Sequence, residues 1–354
     1  MREPIVISAA EVFCPIGLNT LQASTSVLGG ISRVEASSML DDRFEPITMG
    51  LVPEDVLPTL NKDIADSVTP QEARLLRLLS PCLQNLKAVG MPLEEMPMLL
   101  TAQSADRSAA PPTANTFFSH LGAQSGIWFR YRESRLFPEG RAGLFSAIKE
   151  AAALIASGRV PHLLVGGVDT LFNKAELVKF FAEKRILREG VLDGFTPGEG
   201  AALMVLSHPL AARRRFEDPL AAIAGVGRGE EMGHRYSDQP YLGEGLSHAL
   251  FNMWEDIPSP PAPIKTIFAG FNGESFSAKE WGVATIRHKK RFEDALQMEH
   301  PAEYFGDARA ALAPIMMAIG AYGLRQQMWD GPLLVWASSD DAPRGAALLT
   351  HVNP

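Results

Sequence analysis

Between Gly140 and Leu206 the chain carries two glycine-bearing turns, each tied to a long apolar run, and that order restricts the folds open to it. The segment opens Gly140-Arg141-Ala142-Gly143, follows a helical pattern to Ser157, and continues His162-Leu163-Leu164-Val165-Gly166-Gly167-Val168-Asp169. A polar stretch comes next, then Asp193-Gly194-Phe195-Thr196-Pro197-Gly198-Glu199-Gly200 and the apolar run Ala201 to Leu206. Short apolar runs alternating with helix-period segments predict an α/β class in which helices are buried against sheets.

This stretch resembles the centre of the β-ketoacyl-carrier-protein synthases, the condensing enzymes of the thiolase superfamily. There the nucleophilic cysteine sits on a tight turn at a helix start, and a strand ending Gly-Gly-Xaa-Asp/Glu follows. The Asp-Gly-Phe-Xaa-Pro-Gly-Glu-Gly element then leads into another core strand. The start of the chain resembles the same family: an apolar strand Ile5 to Ala10, the turn Cys14-Pro15-Ile16-Gly17, and a helix capped by Asn19 or Thr20 that stops at Gly29-Gly30. The resemblance implies a five-layer α-β-α-β-α sandwich of two related halves, expected as residues 1–208 and 209–354 in one compact unit. The halves show no visible identity in sequence.

Condensing enzymes need a cysteine thiolate at a helix N-terminus, where the dipole favours the anion, and preorganised donors for the charge that develops on the thioester oxygen. Counted back without a gap from Gly166-Gly167, the family's cysteine position falls on Arg141. The first histidine's turn matches Ala269-Gly270-Phe271-Asn272-Gly273-Glu274-Ser275, which puts Phe271 on the histidine, or Asn272 after a one-residue slip. The second histidine's helix start matches Gly306-Asp307-Ala308 and gives Asp307; the supporting lysine, five residues earlier, falls on Ala302. The C-terminal Gly-Phe-Gly-Gly gate corresponds to Ser338-Ser339-Asp340-Asp341-Ala342-Pro343-Arg344-Gly345. The resemblance therefore implies a condensing-enzyme scaffold with no catalytic residues and no enzymatic activity. Two dispositions of Arg141 are open: paired with Asp307 against the ring of Phe271, filling the acyl pocket, or turned outward to solvent.

The remaining residues narrow the function classes. A net charge of −8 leaves no basic footprint for nucleic acid, and Arg213-Arg214-Arg215, followed by Glu217 and Asp218, reads as a solvated turn. Two cysteines, Cys14 and Cys82, far apart and outside any CxxC, fit a reducing cytoplasm; Cys14 reads as a buried small residue. No apolar run reaches the ~18 residues of a membrane span, so no membrane is expected; nor is a cofactor. The eight histidines show no HxH or HxxxH spacing and predict no metal site. Gly225-Val226-Gly227-Arg228-Gly229 reads as a turn at a strand end, and Asp193 with Glu199 as scaffold rather than an acid–base pair.

Along the chain, 36–68 reads as mostly loop, Thr69-Pro70-Gln71-Glu72 as the start of a helix, and Ser104 to Asn115 as a polar loop. Thr116 to Gly126 reads as a short helix and Ile127 to Leu136 as a charged strand. Pro258 to Pro263 reads as a stiff connector, Ser275 to Phe292 as one helix, and Ala308 to Met328 as one helix kinked at Pro314.

An enzyme scaffold with its reactive groups replaced implies a binding protein. Shortened, cysteine-less proteins of this appearance are encoded near type VI secretion genes, so the resemblance implies an adaptor or chaperone that loads a secreted toxin. The alternative is a chain-length-factor-like subunit partnering an active synthase. For that role the dimer strand would be Arg132 to Pro138, whose charges and proline suit a central strand poorly. A third possibility, unrelated chemistry at Glu274, Asp307 or Asp340, has no positive support in the sequence.

Overall fold

A computed structural model describes residues 5–103, 112–215, 218–258 and 262–352. The expected loop at Ser104 to Asn115 and the connector Pro258 to Pro263 lie largely outside the described residues. In chain order the first half contains β1 (Ile5–Phe13), α1 (Thr20–Leu28), β2 (Glu35–Leu40), β3 (Pro46–Met49), α2 (Pro70–Ala88), β4 (Met98–Thr101), α3 (Ala114–Ser125), β5 (Arg135–Phe137), α4 (Gly143–Ala156), β6 (His162–Thr170), α5 (Lys174–Ala182) and β7 (Glu199–Ser207). Then come α6 (Pro209–Arg215), β8 (Ala221–Glu230), α7 (Glu244–Asp256), β9 (Ile264–Ala269), α8 (Ser275–His288), β10 (Phe292–Glu299), α9 (Ala302–Phe305), α10 (Leu312–Arg325), β11 (Leu333–Ser338) and β12 (Pro343–Thr350).

Strand pairing shows a duplication that side-chain identity hides. The first set runs β1-β7-β6-β4-β5, with its first two pairings antiparallel and its last two parallel. The second runs β8-β12-β11-β9-β10 with the same sequence of senses. The sets join where Ile5–Ile7 of β1 pairs antiparallel with Ala221–Ile223 of β8.

Alternation along each strand assigns the layers. In β6, Leu163 and Val165 face one core while Leu164 faces another. The central core holds α4 and α10 between the sheets, and α10 is buried from Leu312 to Leu324 except at Tyr322. A helix apolar on all sides needs such a position. Leu76, Leu79 and Leu83 of α2 and Phe117 of α3 cover the outside of the first sheet. Leu246 and Leu250 of α7 and Trp281 of α8 cover the second. The result is the five-layer α-β-α-β-α sandwich. No helix among the described residues is long and apolar enough to cross a membrane.

Local signals place several elements. The Thr69 side chain accepts from the Glu72 N–H at 3.2 Å and caps α2, with Pro70 in the first turn. Asn19 caps α1 through the Gln22 N–H at 2.9 Å.

Other expectations fail for physical reasons. Part of 36–68 is the hairpin β2–β3 rather than loop. Ile127 to Leu136 contains a 3-10 turn at Tyr131–Glu133, and only Arg135–Phe137 pairs as strand. The helix from Ser275 ends at His288, because the chain turns there into the edge strand β10. Arg309–Ala311 form a 3-10 turn, so α10 starts at Leu312 and Pro314 falls in its first turn. A proline there removes no intrahelical bond, and no kink is needed. The basic run Arg213 to Arg215 is the end of α6, not a turn. The glycine cluster 225–229 lies within β8, because α7 rests directly on that backbone. A Cβ on Gly227 would stand 1.9 Å from the Ala249 carbonyl oxygen, and one on Gly229 2.0 Å from that of Gly245.

Candidate functional site

Two helices of the central layer start opposite one another, each after a 3-10 turn: Gly140–Ala142 before α4 and Arg309–Ala311 before α10. An arginine stands in each turn, and both are buried. Helix N-termini repel cations, so each guanidinium requires a carboxylate answer. Arg309 Nη1 donates to Glu176 Oε2 at 3.0 Å, and Arg309 lies 3.7 Å from Asp169, the acid that closes the Gly-Gly-Val-Asp strand.

Arg141 points inward and is 4% exposed. Its Nε donates to Asp307 Oδ1 at 3.0 Å, its Nη2 donates to Asp307 Oδ2, and its Nη1 donates to Asp340 Oδ1 at 3.0 Å. Burial would raise the Asp307 carboxyl, but the Arg141 charge and hydrogen bonds from Arg141, Asn272 and the Arg309 backbone outweigh it and hold the group below the ordinary range. Asp340 behaves in the same way, with Arg141, Arg185 and Arg235 overcoming its desolvation.

The network extends outward through Arg185, in the turn after α5. Arg185 donates to both Glu274 oxygens, at 2.8 and 2.7 Å, and to both Asp340 oxygens, at 3.1 and 3.0 Å. Its guanidinium lies 5.1 Å from the Phe180 ring and 5.4 Å from that of Phe195. Arg235 approaches Glu274 at 3.0 Å. Burial pushes the Tyr236 hydroxyl up to about 12, so it keeps its proton. That hydroxyl accepts from Arg185 at 2.8 Å and donates to Glu183 at 2.8 Å.

Three guanidinium groups (Arg141, Arg185, Arg235) thus interlock with three carboxylates (Asp307, Asp340, Glu274). These three pairs balance in charge, and the exposed Glu183 adds a rim contact to Arg185 at 3.5 Å. The Ala142 N–H, a donor at the mouth of α4, is taken by Ser339 Oγ at 3.0 Å. Ser339 opens the turn between β11 and β12, which Arg344 of β12 pins by donating to the Ser339 carbonyl at 2.8 Å and to Glu280 Oε1 at 2.5 Å.

Of the sequence-derived positions, Arg141 and Asp307 come together, and the solvent-facing disposition of Arg141 is excluded by its burial. Phe271 does not join them, which corrects the expected cation–π contact. Its ring packs edge-on against Trp336 at 5.1 Å and beside His300 at 5.7 Å. The neighbouring Asn272 faces the site instead and donates to Asp307 Oδ2 at 3.0 Å and Glu274 Oε2 at 2.9 Å. Ala302 opens α9 with its methyl in the central core. Arg185, Arg235, Tyr236 and Arg309 were not singled out in the sequence. Arg185, Arg235 and Tyr236 stand in polar turns with no local pattern to mark them, whereas Arg309 follows Asp307 by two residues in the same glycine-marked helix start.

The other candidates hold structure. Glu199 accepts from Arg74 at 2.7 Å through each oxygen, from the Val52 N–H at 2.8 Å and from Thr170 at 2.7 Å. Asp193 accepts from the Ser275 N–H at 2.6 Å at the start of α8. Cys14 is fully buried at the end of β1, and desolvation pushes its thiol up to about 12.

Comparison with solved structures places the fold among ketosynthases. The ketosynthase from module 6 of the bacillaene synthase of Bacillus subtilis 168 superposes with a TM-score of 0.82 at 12% identity, over 99% of this chain and 73% of that one. The oxazolomycin ketosynthase domain OzmH KS7 of Streptomyces albus JA3453 gives 0.77 at 13%, over 99% and 76%. The ishigamide ketosynthase/chain length factor gives 0.77 at 14%, over the whole of both chains. No family model matches the sequence, and no curated protein does.

Proposed function

We propose that this chain is a ketosynthase-fold protein that performs no condensation and works by binding another protein. One observation carries the reading: a buried, charge-balanced ion network, centred on Arg141, occupies the helix mouth from which a thiolate would attack. A guanidinium is no nucleophile, and the Ala142 N–H that could stabilise an oxyanion is already engaged. The partner that fits the resemblance is a secreted toxin of a type VI system, for which the chain serves as adaptor or chaperone.

A second reading is supported by likeness to the ishigamide ketosynthase/chain length factor. On it the chain is a non-catalytic subunit beside an active synthase. Against that stands β5, the edge strand of the first sheet, which pairs over three residues and runs into Pro138. It offers a short template for a strand-to-strand dimer.

The test has two arms. Purified chain incubated with malonyl- and acyl-loaded carrier protein is expected to remain unacylated by mass spectrometry and to form no condensed thioester; covalent acylation would sink the non-catalytic reading. Affinity purification with the products of neighbouring genes then separates the roles, a toxin partner favouring the adaptor and an active synthase the second reading.

A further inference from the structure

Over β1, between the start of α1 and the end of α2, lies a groove of about 710 Å³ lined by none of the ion-network residues. Glu11 of β1 lines it together with Leu21, Val89, Leu220 and Tyr322. A glutamate on a strand at the junction of two sheets is out of place as packing. Ile7, Val12 and Phe13 of the same strand are buried, whereas Glu11 is half-buried and turned to the groove. Asn85 Nδ2 donates to Glu11 Oε2 at 3.3 Å and to the Leu18 carbonyl at 3.3 Å. Burial raises the Glu11 carboxyl, and the bonds from Asn85 and the Thr20 backbone offset this only in part.

No basic side chain among the described residues answers Glu11. The other acid of the groove, Asp218, is already held by Arg325 at 2.7 Å. Around the carboxylate stand apolar side chains facing water: Leu21 is 51% exposed and Val89 60%. A partly desolvated anion ringed by exposed aliphatics is complementary to a cation ringed by apolar side chains. Charge-assisted bonds to such a carboxylate are the strong kind, and arginine is enriched at the centres of protein interfaces.

We infer that this groove docks a protein partner through an arginine or lysine flanked by apolar side chains, the cation meeting Glu11 and its neighbours covering Leu21 and Val89. This rests on the protein-binding reading above and names the surface used. The chain's net charge of −8 speeds encounter with a basic segment.

The test selects a displayed random dodecapeptide library on the full chain, then measures the enriched peptides by fluorescence anisotropy on the wild type, Glu11→Gln and Leu21→Asp. Glu11→Gln keeps the shape of the half-buried side chain and Leu21 is 51% exposed, and circular dichroism checks the folding of both variants. The expected result is enrichment of peptides with a basic residue between apolar ones, whose affinity falls at least tenfold in each variant and falls with added salt. Enrichment of acidic or purely apolar peptides, or equal binding to all three proteins, overturns the inference. Saturable binding of spermine at peptide-like affinity would make the occupant a small cation, and a concentration-dependent dimer abolished by Leu21→Asp would make it a second copy; either overturns it too. A partner captured by the wild type and retained by both variants would remove the groove but leave the protein-binding reading intact, whereas acylation of the chain would remove that reading alone.

Discussion

Arg141 and Asp307, 166 residues apart in the chain, meet as a two-pronged ion pair at the mouth of α4. The pair ties the start of one central helix to the start of the other, and with them the two sheets. Its energetics are those of a buried pair: removing one partner leaves a charge without solvent or counterion.

Replacing Arg141 with Ala strands Asp307 and part of Asp340, and should destabilise the fold by about 3–5 kcal/mol. Asp307→Ala should cost less, because Arg141 keeps Asp340 at 3.0 Å. The double variant should fall short of the sum of the singles by about 0.5–3 kcal/mol, as expected for groups in one network. Urea denaturation of the four proteins gives the coupling. Strictly additive costs would show that the two side chains do not act as a pair.

Asp340 provides a test of sign. Its carboxyl is held below the usual range in the folded chain, because the charges of Arg141, Arg185 and Arg235 overcome its desolvation. Such a group contributes its full stabilisation above the unfolded carboxylate value of ~3.9 and loses it as pH falls toward the folded one. The stability gap between wild type and Asp340→Asn should therefore be constant above about pH 5 and shrink below about pH 4. A gap that widens on acidification would contradict the assigned network.

What the sequence disclosed was what is locally encoded. The buried strands β6 and β7 appear as apolar runs, and α2 announces itself through Thr69 and Pro70. The edge strand β10 does not, since Phe292–Glu299 is half exposed and shows no apolar run. At the site, Arg141 and Asp307 were legible because each sits beside a glycine-marked helix start. Arg185 and Arg235 were not, because their meaning arises only when the turn after α5 and the turn after β8 converge on Glu274. The choice between Phe271 and Asn272 turned on one residue of register, too fine for pattern alone. It was decided by which neighbour found a polar partner and which an aromatic one.

Packing of α7 on β8 predicts a contrast between two glycines. Gly227→Ala would place a methyl carbon 1.9 Å from a backbone oxygen of α7, which cannot move without shifting the helix. Overpacking of this kind should cost about 3 kcal/mol and lower the melting temperature by several degrees. Gly282→Ala, in α8, meets nothing within 4 Å and should stabilise by about 0.5–1 kcal/mol through helix propensity. Thermal denaturation of both variants settles it; similar effects at the two positions would mean α7 does not seat on the strand backbone.

A cysteine placed at the start of α4 should not become a nucleophile. In Arg141→Cys the α4 dipole still favours a thiolate, but removal of the guanidinium strands Asp307 beside it, while Asp340 keeps Arg185. An unanswered carboxylate disfavours a second anion beside it and pushes the thiol up. The Ala142 N–H remains engaged by Ser339 at 3.0 Å and does not offset that repulsion. Cys14 and Cys82 are fully buried with raised thiols and contribute little background. Iodoacetamide alkylation of the variant should therefore follow a pH–rate profile with its midpoint above the ~8.5 of a free cysteine, and the profile should move down in Arg141→Cys with Asp307→Asn. A midpoint below 7 in the single variant would mean the helix start is electropositive without Arg141. The missing thiol would then be the main obstacle to acyl chemistry at this site.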